Sequence, residues 1–179
     1  MKNILILSLV LCLFSACNQR KKEIENITAL QLALDSVMKQ KPVLLPADRV
    51  HAENLAKAYH NFVKNYPDDS LASKYMFQEA VRKQIMQDYP ATLEILTTIP
   101  EKYPASKEAP DAITAAAAIC ENFLKDCDKA AYYLKQLGNQ YPDHPAAVNI
   151  DMQIQYVCDP QGYLNAVRGE ADTTDLSAE

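Results

Sequence analysis

Few side chains in this sequence have the type and spacing that bond-making chemistry needs. The histidines are His51, His60 and His144. His51 and His60 lie nine residues apart on one predicted helix, about two and a half turns, which puts them on opposite faces. There is no H-E-x-x-H, and His144 follows Asp143 at a predicted helix start, where a solvent-facing turn residue is expected. Ser70 and Ser106 also stand at predicted helix starts, with no His and Asp arranged to activate them. Gly138, Gly162 and Gly169 form no phosphate-cradling loop. The carboxylates are spread as they are on solvated helix faces. The expectation is a chain with no catalytic residue, metal site or cofactor, and so not an enzyme.

Five cysteines are present and no C-x-x-C, so neither a redox motif nor a zinc site is signalled. Cys120 and Cys158 each follow a repeat tyrosine by 17 residues, so they take equivalent places on stacked helices. Such places lie roughly 8–10 Å apart, beyond the ~7 Å Cα limit of a disulfide. Cys120 and Cys127 flank one turn and could lie nearer. The simplest expectation is that all three are small buried apolar residues.

The elements that must position any site come from a repeat. Tyr66, Tyr103 and Tyr141 are each followed by Pro, at steps of 37 and 38 residues. Six residues after each comes Ala72, Ala109 or Ala147, and four before each comes Phe62, Ile99 or Leu137. Seven before stand Tyr59, Leu96 and Leu134; eleven before stand Leu55, Thr92 and Ala130. A fixed period of this size marks helical or other supersecondary units stacked in series. The apolar spacing of three and four before each Tyr is one face of a helix, and the Pro breaks that helix. Each Tyr-Pro is therefore read as the elbow of a helical hairpin, with the Tyr ring filling the gap and its hydroxyl reaching water. Asp69, Ser106 and Asp143 are expected to cap the next helix.

This gives hairpins at about 47–88, 89–126 and 127–158. Ahead of them a leading amphipathic helix runs from about Asn26 to Gln40, with Ile27, Leu30, Leu34, Val37 and Met38 on one face. Pro42 and Pro46 bracket a linker. Pro90 suits the first turn of its helix. The stretch DAITAAAAICENFL is apolar nearly all round and reads as buried on both sides. Pro160 and Gly162 end the repeats, a short helix near Tyr163 to Val167 covers the end, and residues 169–179 read as a disordered acidic tail.

Composition narrows the partners. The 179-residue chain has a formal net charge of −5 and suggests one domain. Without basic clustering, nucleic acid is not an expected partner. The N-terminus, with Lys2, the apolar run from Ile4 to Phe14 and small residues before Cys17, describes a secretory signal peptide over residues 1–16. The run is short of the ~20 residues a membrane span needs.

Two resemblances add to this. FSAC at residues 14–17 resembles a bacterial lipobox, which implies lipid on Cys17, and Asn18 after it implies sorting to the outer membrane, facing the periplasm. The segments NYPDDSLASKYMFQEA, KYPASKEAPDAI and NFLKDCDKAAYYLKQLGNQYPDHPAA resemble tetratricopeptide repeats. They are similar to those of short outer-membrane lipoproteins, such as the helical barrel-assembly lipoprotein and envelope-coordinator family. The implied fold is all-α, a right-handed solenoid of about three helix-turn-helix repeats with a leading helix. The implied organisation is a signal peptide at 1–16, a lipidated tether at 17–25, a repeat domain at 26–168 and the tail at 169–179. Solenoids bind extended peptides or protein surfaces in their concave face, which the resemblance implies is lined by first helices. The polar residues there are Asn54, Lys57, Asn61 and Lys64 in the first hairpin, and Lys129, Tyr132, Gln136 and Asn139 in the third. They resemble positions with which some tetratricopeptide domains hold a peptide backbone or terminal carboxylate. The expected function is a membrane-anchored periplasmic adaptor that binds protein partners in outer-membrane or envelope assembly or maintenance, with no small-molecule substrate. The alternative is a ligand-binding accessory lipoprotein of a nutrient-uptake system.

Overall fold

A computed structural model describes residues 2–40 and 49–169. The linker at Pro42 and Pro46, residues 170–179 of the expected tail, and the side chains of residues 1–17, Cys17 included, lie outside the described residues. Among the described residues there are helices and turns and no strand. The architecture is the all-α, tetratricopeptide-like array of helical hairpins. It divides into two compact units at Asp88 and Tyr89.

The first unit holds α1 (Lys2–Gln40), α2 (Arg49–Asn65) and α3 (Ala72–Ile85). The leading helix starts far ahead of Asn26, because no Pro or Gly interrupts residues 2–40. Residues 17–25, expected as a tether, are thus helical. Arg20 bonds the Asp69 carboxylate through two nitrogens at 2.5 and 3.0 Å. Asn65 donates to Glu23 at 3.1 Å, and Gln31 donates to the Tyr59 hydroxyl at 2.7 Å. These pairs run α1 antiparallel to α2. Between the helices lies a core of Ile27, Leu34, Ala52, Leu55, Tyr59, Phe62 and Tyr75. Phe62 meets Tyr75 edge-on at 4.8 Å, and Tyr59 meets Tyr75 at 5.2 Å. Of the expected α1 face, Ile27 and Leu34 are buried, but Met38 is exposed near the helix end.

The second unit holds α4 (Tyr89–Lys102), α5 (Glu108–Ile119), a π-helical turn (Cys120–Leu124) and α6 (Cys127–Gln140). A 3-10 turn (Pro145–Ala147), α7 (Ile150–Gln155) and α8 (Pro160–Arg168) complete it. α5 packs on both α4 and α6, and Ala112, Ile113, Ala116, Ala117, Ile119 and Cys120 are buried. Its far end is less enclosed than the apolar pattern implied: Ala118, Phe123 and Leu124 are exposed, because the π turn widens the helix there before Lys125 takes a left-handed conformation. Pro160 opens α8 rather than ending the array, and the Asp159 side chain accepts from the Gly162 N–H at 2.9 Å. A Cβ at Gly162 would run into that carboxylate and the Tyr156 ring.

The three elbows share one hydrogen-bond pattern. The Tyr66 N–H reaches the Phe62 carbonyl, Asp69 N–H the Tyr66 carbonyl, and Ala72 N–H the Asp69 carbonyl, at 2.8, 3.1 and 2.9 Å. Tyr103, Ser106 and Ala109 repeat it at 2.8, 2.9 and 3.3 Å, and Tyr141, His144 and Ala147 at 2.8, 3.0 and 2.8 Å. The repeat positions four, seven and eleven before each Tyr, and the Ala six after, are at most 9% exposed.

Three details differ from expectation. The Tyr141 hydroxyl does not point to water: it donates to the Pro104 carbonyl of the preceding elbow at 2.9 Å. Asp69 accepts from the Leu71 N–H at 2.9 Å, but the Ser106 hydroxyl is buried without a partner. In the third elbow His144 takes the capping role expected of Asp143, its Nδ1 accepting from the Ala146 N–H at 3.3 Å, because it is His144 that lies three residues after the Tyr.

The cysteines also correct the sequence reading. Cys127 and Cys158 form a disulfide with Cα atoms 5.9 Å apart, and Cys120 is a buried free thiol. Stack equivalence argued against a Cys120–Cys158 bond but did not foresee this one, and the expectation of three buried apolar cysteines fails: Cys158 sits with φ of 64° after a short α7, which brings it to the start of α6. The fully buried Ala109 and the exposed Tyr141 bond differ in what they contribute. Ala109→Leu is expected to cost about 1–3 kcal/mol by overpacking, and Tyr141→Phe about 0.5–1 kcal/mol. Urea unfolding of the second unit's signals measures both.

Candidate functional site

Each unit offers its own surface. In the first unit, Glu53, Ala56, Lys57 and His60 of α2 recur at three- and four-residue spacing, so they share a helix face. Glu79, Lys83 and Met86, contributed by α3 and its end, face them across a cavity of about 390 Å³. Glu79 is 7% exposed, and its Oε1 lies 3.1 Å from Nδ1 of the more exposed His60. Burial pushes the Glu79 pKa up, and the neighbouring His60 and then Lys83 pull it back. A carboxyl in that setting is a poorly solvated acceptor at the floor of a groove whose rim carries Lys57 and Lys83. The groove can pair with a polar or charged group.

The predicted α2 residues Asn54, Lys57, Asn61 and Lys64 are all exposed, and Lys57 also lines this groove. They form one ridge along α2, because offsets of three, four and three residues keep to one side of a helix. A second cavity of this unit, about 350 Å³, lies where α1 meets α2 and α3, with Asp35, Tyr59 and Arg82 among its walls. Burial raises the Tyr59 pKa there, partly offset by the Gln31 hydrogen bond.

In the second unit, Lys129, Tyr132 and Asn139 are exposed on α6 and Gln136 is half-buried. Lys129 is not a free cation: its ammonium bonds Asp126 at 2.8 Å. That contact raises the Lys129 pKa and lowers that of Asp126. Tyr132 is 61% exposed and meets Tyr133 edge-on at 5.3 Å. The two predicted sets are thus brought together within each helix, as two separate ridges.

Sequence reading missed the buried Glu79, the His60 beside it and a cavity in the second unit. That cavity, about 420 Å³, is walled by Ala117, Ala118, Leu134, Tyr156, Tyr163 and Leu164 among others. The signal for Glu79 was present: it sits in YMFQEA, on a face otherwise taken by Tyr75, Met76 and Ala80. His144 is likewise structural, with Nε2 3.5 Å from Asp111. Among the described residues no group of three or more His, Cys, Asp or Glu could hold a metal ion. No described helix is long and apolar enough to cross a membrane.

Residues 116–144 match a Tetratricopeptide repeat family. The match runs from the second half of α5 through the π turn and α6 to the third elbow. It supports a tetratricopeptide-repeat protein, a class whose helical hairpins are protein-interaction modules and are typically not catalytic. The curated proteins contain no match to the chain.

The groove gives a pH test. Because burial raises the Glu79 pKa above its unfolded value, about 4.3, its contribution to stability is fully present below that value. It is lost as pH rises through the folded pKa. Glu79→Gln is expected to match the native protein near pH 4 and to lack this decline at higher pH, in thermal melts across the range. His60→Ala removes the neighbour that pulls the Glu79 pKa down, so a carbon-13 NMR titration should find the Glu79 carboxyl shifted further up.

Proposed function

We propose that the protein is a membrane-anchored adaptor that binds protein partners in the periplasm, in the assembly or maintenance of the outer membrane. The observation that carries this reading is the helical hairpin used three times, with an exposed polar ridge on its first helix in two of them. A tetratricopeptide match from the second half of α5 through α6 to the third elbow supports the interaction role. A side-chain ridge of Asn and Lys suits an extended peptide, since amide groups can satisfy a backbone and ammonium groups a carboxylate. On this reading the first unit's ridge of Asn54, Lys57, Asn61 and Lys64 is the stronger candidate, because among the described residues Lys57 and Lys64 are in no ion pair such as the one that occupies Lys129.

Anchoring rests on the sequence: the signal-like residues 1–16, the FSAC that ends at Cys17, and the Asn18 that follows. Lipid on Cys17 would hold the protein to the outer membrane far more firmly than one acyl chain alone. The helical continuity of residues 17–25 would then seat the first unit near the bilayer instead of on a loose tether. The test is fractionation of cells with mass spectrometry of the mature N-terminus. The expected result is a thioether-linked diacylglycerol on Cys17, and a Cys17→Ser protein that leaves the membrane fraction. A Cys17→Ser protein that stays fully membrane-bound contradicts the anchor.

A further inference from the structure

We propose that the Cys127–Cys158 disulfide is a redox latch that holds α8 across the apolar cavity of the second unit, and that a dithiol reductant opens it. The argument starts from how little else holds α8. None of its residues is buried, and it is not among the closely packed helix pairs, which are α4 with α5, α5 with α6, and α6 with α7. Leu164 and Val167 remain 44% and 59% exposed. Its Pro160, Tyr163 and Leu164 line a cavity of about 420 Å³ that they leave unfilled. The firm attachments lie just before it. Cys158 is bonded to Cys127, and its N–H donates to the Glu121 carboxylate at 3.0 Å.

The same geometry separates the latch from the core. Cys127 begins α6, and the core residue Leu137, packed with Ile113 and Ala147, lies ten residues on, about 15 Å along a helix. The elbow bonds of Tyr141 with Leu137, His144 and Ala147 also lie at that far end. Breaking the disulfide therefore leaves that far cluster of Ile113, Leu137 and Ala147 untouched, although the buried Cys120 and Ala130 lie near the bond. It frees the chain next to a helix with no buried residue.

Access and isolation favour an external reductant. Cys158 is exposed and Cys127 half-buried, while Cys120 is fully buried and its thiol is pushed toward the protonated form by burial. Cys120 is thus a poor internal attacker. A thiolate of the dithiol attacks Cys158 Sγ, and Cys127 leaves as a thiolate. The second thiol of the dithiol then attacks the mixed disulfide and releases Cys158. Two electrons pass from the dithiol, which becomes its own disulfide, and both cysteines end as thiols with protons from solvent. Freed, α8 uncovers Ala117, Ala118, Leu134, Tyr156 and Val157.

Hydrogen exchange read by mass spectrometry on the full chain tests this, oxidised and after dithiothreitol. Reduction should speed exchange in 160–168 by about tenfold or more while peptides of α4, α5 and α6 keep their protection. A Cys120→Ala protein should behave the same, and Cys127→Ser/Cys158→Ser should exchange as the reduced form does. Unchanged exchange in α8 would overturn the proposal. Faster exchange throughout the second unit would overturn it too, since the bond would then be a staple of the whole fold. Should the double variant fail to fold, the native protein under dithiothreitol decides between these results.

Discussion

Everything else in the protein depends on the elbow that follows each in-register Tyr-Pro. Pro cannot donate an N–H and disfavours the helical region for the residue before it, and at all three elbows the first helix stops there. Three backbone bonds then carry the chain round in the same way at Tyr66, Tyr103 and Tyr141. Each bond satisfies a polar group that the broken helix would otherwise leave unpaired. The elbow also fixes rotation: with the turn set, the Ala six residues on must face the first helix, and only a small side chain lets the two backbones come close. The ridges that could meet a partner are the remainder of that geometry, the sides of α2 and α6 that the elbow leaves outward.

The tyrosines do more than fill space. The Tyr141 hydroxyl bonds the Pro104 carbonyl, so one elbow is stitched to the elbow before it. In the first unit Tyr66 packs its ring on Phe62 at 5.0 Å, and its hydroxyl lies 3.5 Å from Glu23 of the leading helix. The leading helix adds a charged clasp of its own, Arg20 on Asp69, which lowers the Asp69 pKa through that hydrogen bond above all. The aspartate that turns the elbow is thus also the one that holds α1.

The hairpins were legible in the sequence because period, apolar spacing and proline all bear on the same local choice. The repeat positions from Leu55 to Ala72 could be placed without knowing any long-range contact. The start of α1 was not, because a strong apolar run with no breaker can continue a helix whatever its fate in the cell. The disulfide was not legible either. It depends on where a short, irregular α7 delivers Cys158, and the equivalence of Cys120 with Cys158 in the repeat said nothing about Cys127. Asn54, Lys57, Asn61 and Lys64 could be read as outward from helix spacing alone. Glu79 was missed although it shares the apolar face of Tyr75, Met76 and Ala80, because the His60 nineteen residues away that pairs with it could not be placed there from sequence.

The central claim is that the α2 ridge meets a protein partner. The most direct measurement places a photo-crosslinking amino acid singly at Asn54, Lys57, Asn61 and Lys64, and at Lys74 on the following helix, in living cells. The account predicts a discrete crosslinked protein from the four ridge positions and none from Lys74. No crosslink from the ridge, or the same crosslink from Lys74 as from Lys57, would contradict it.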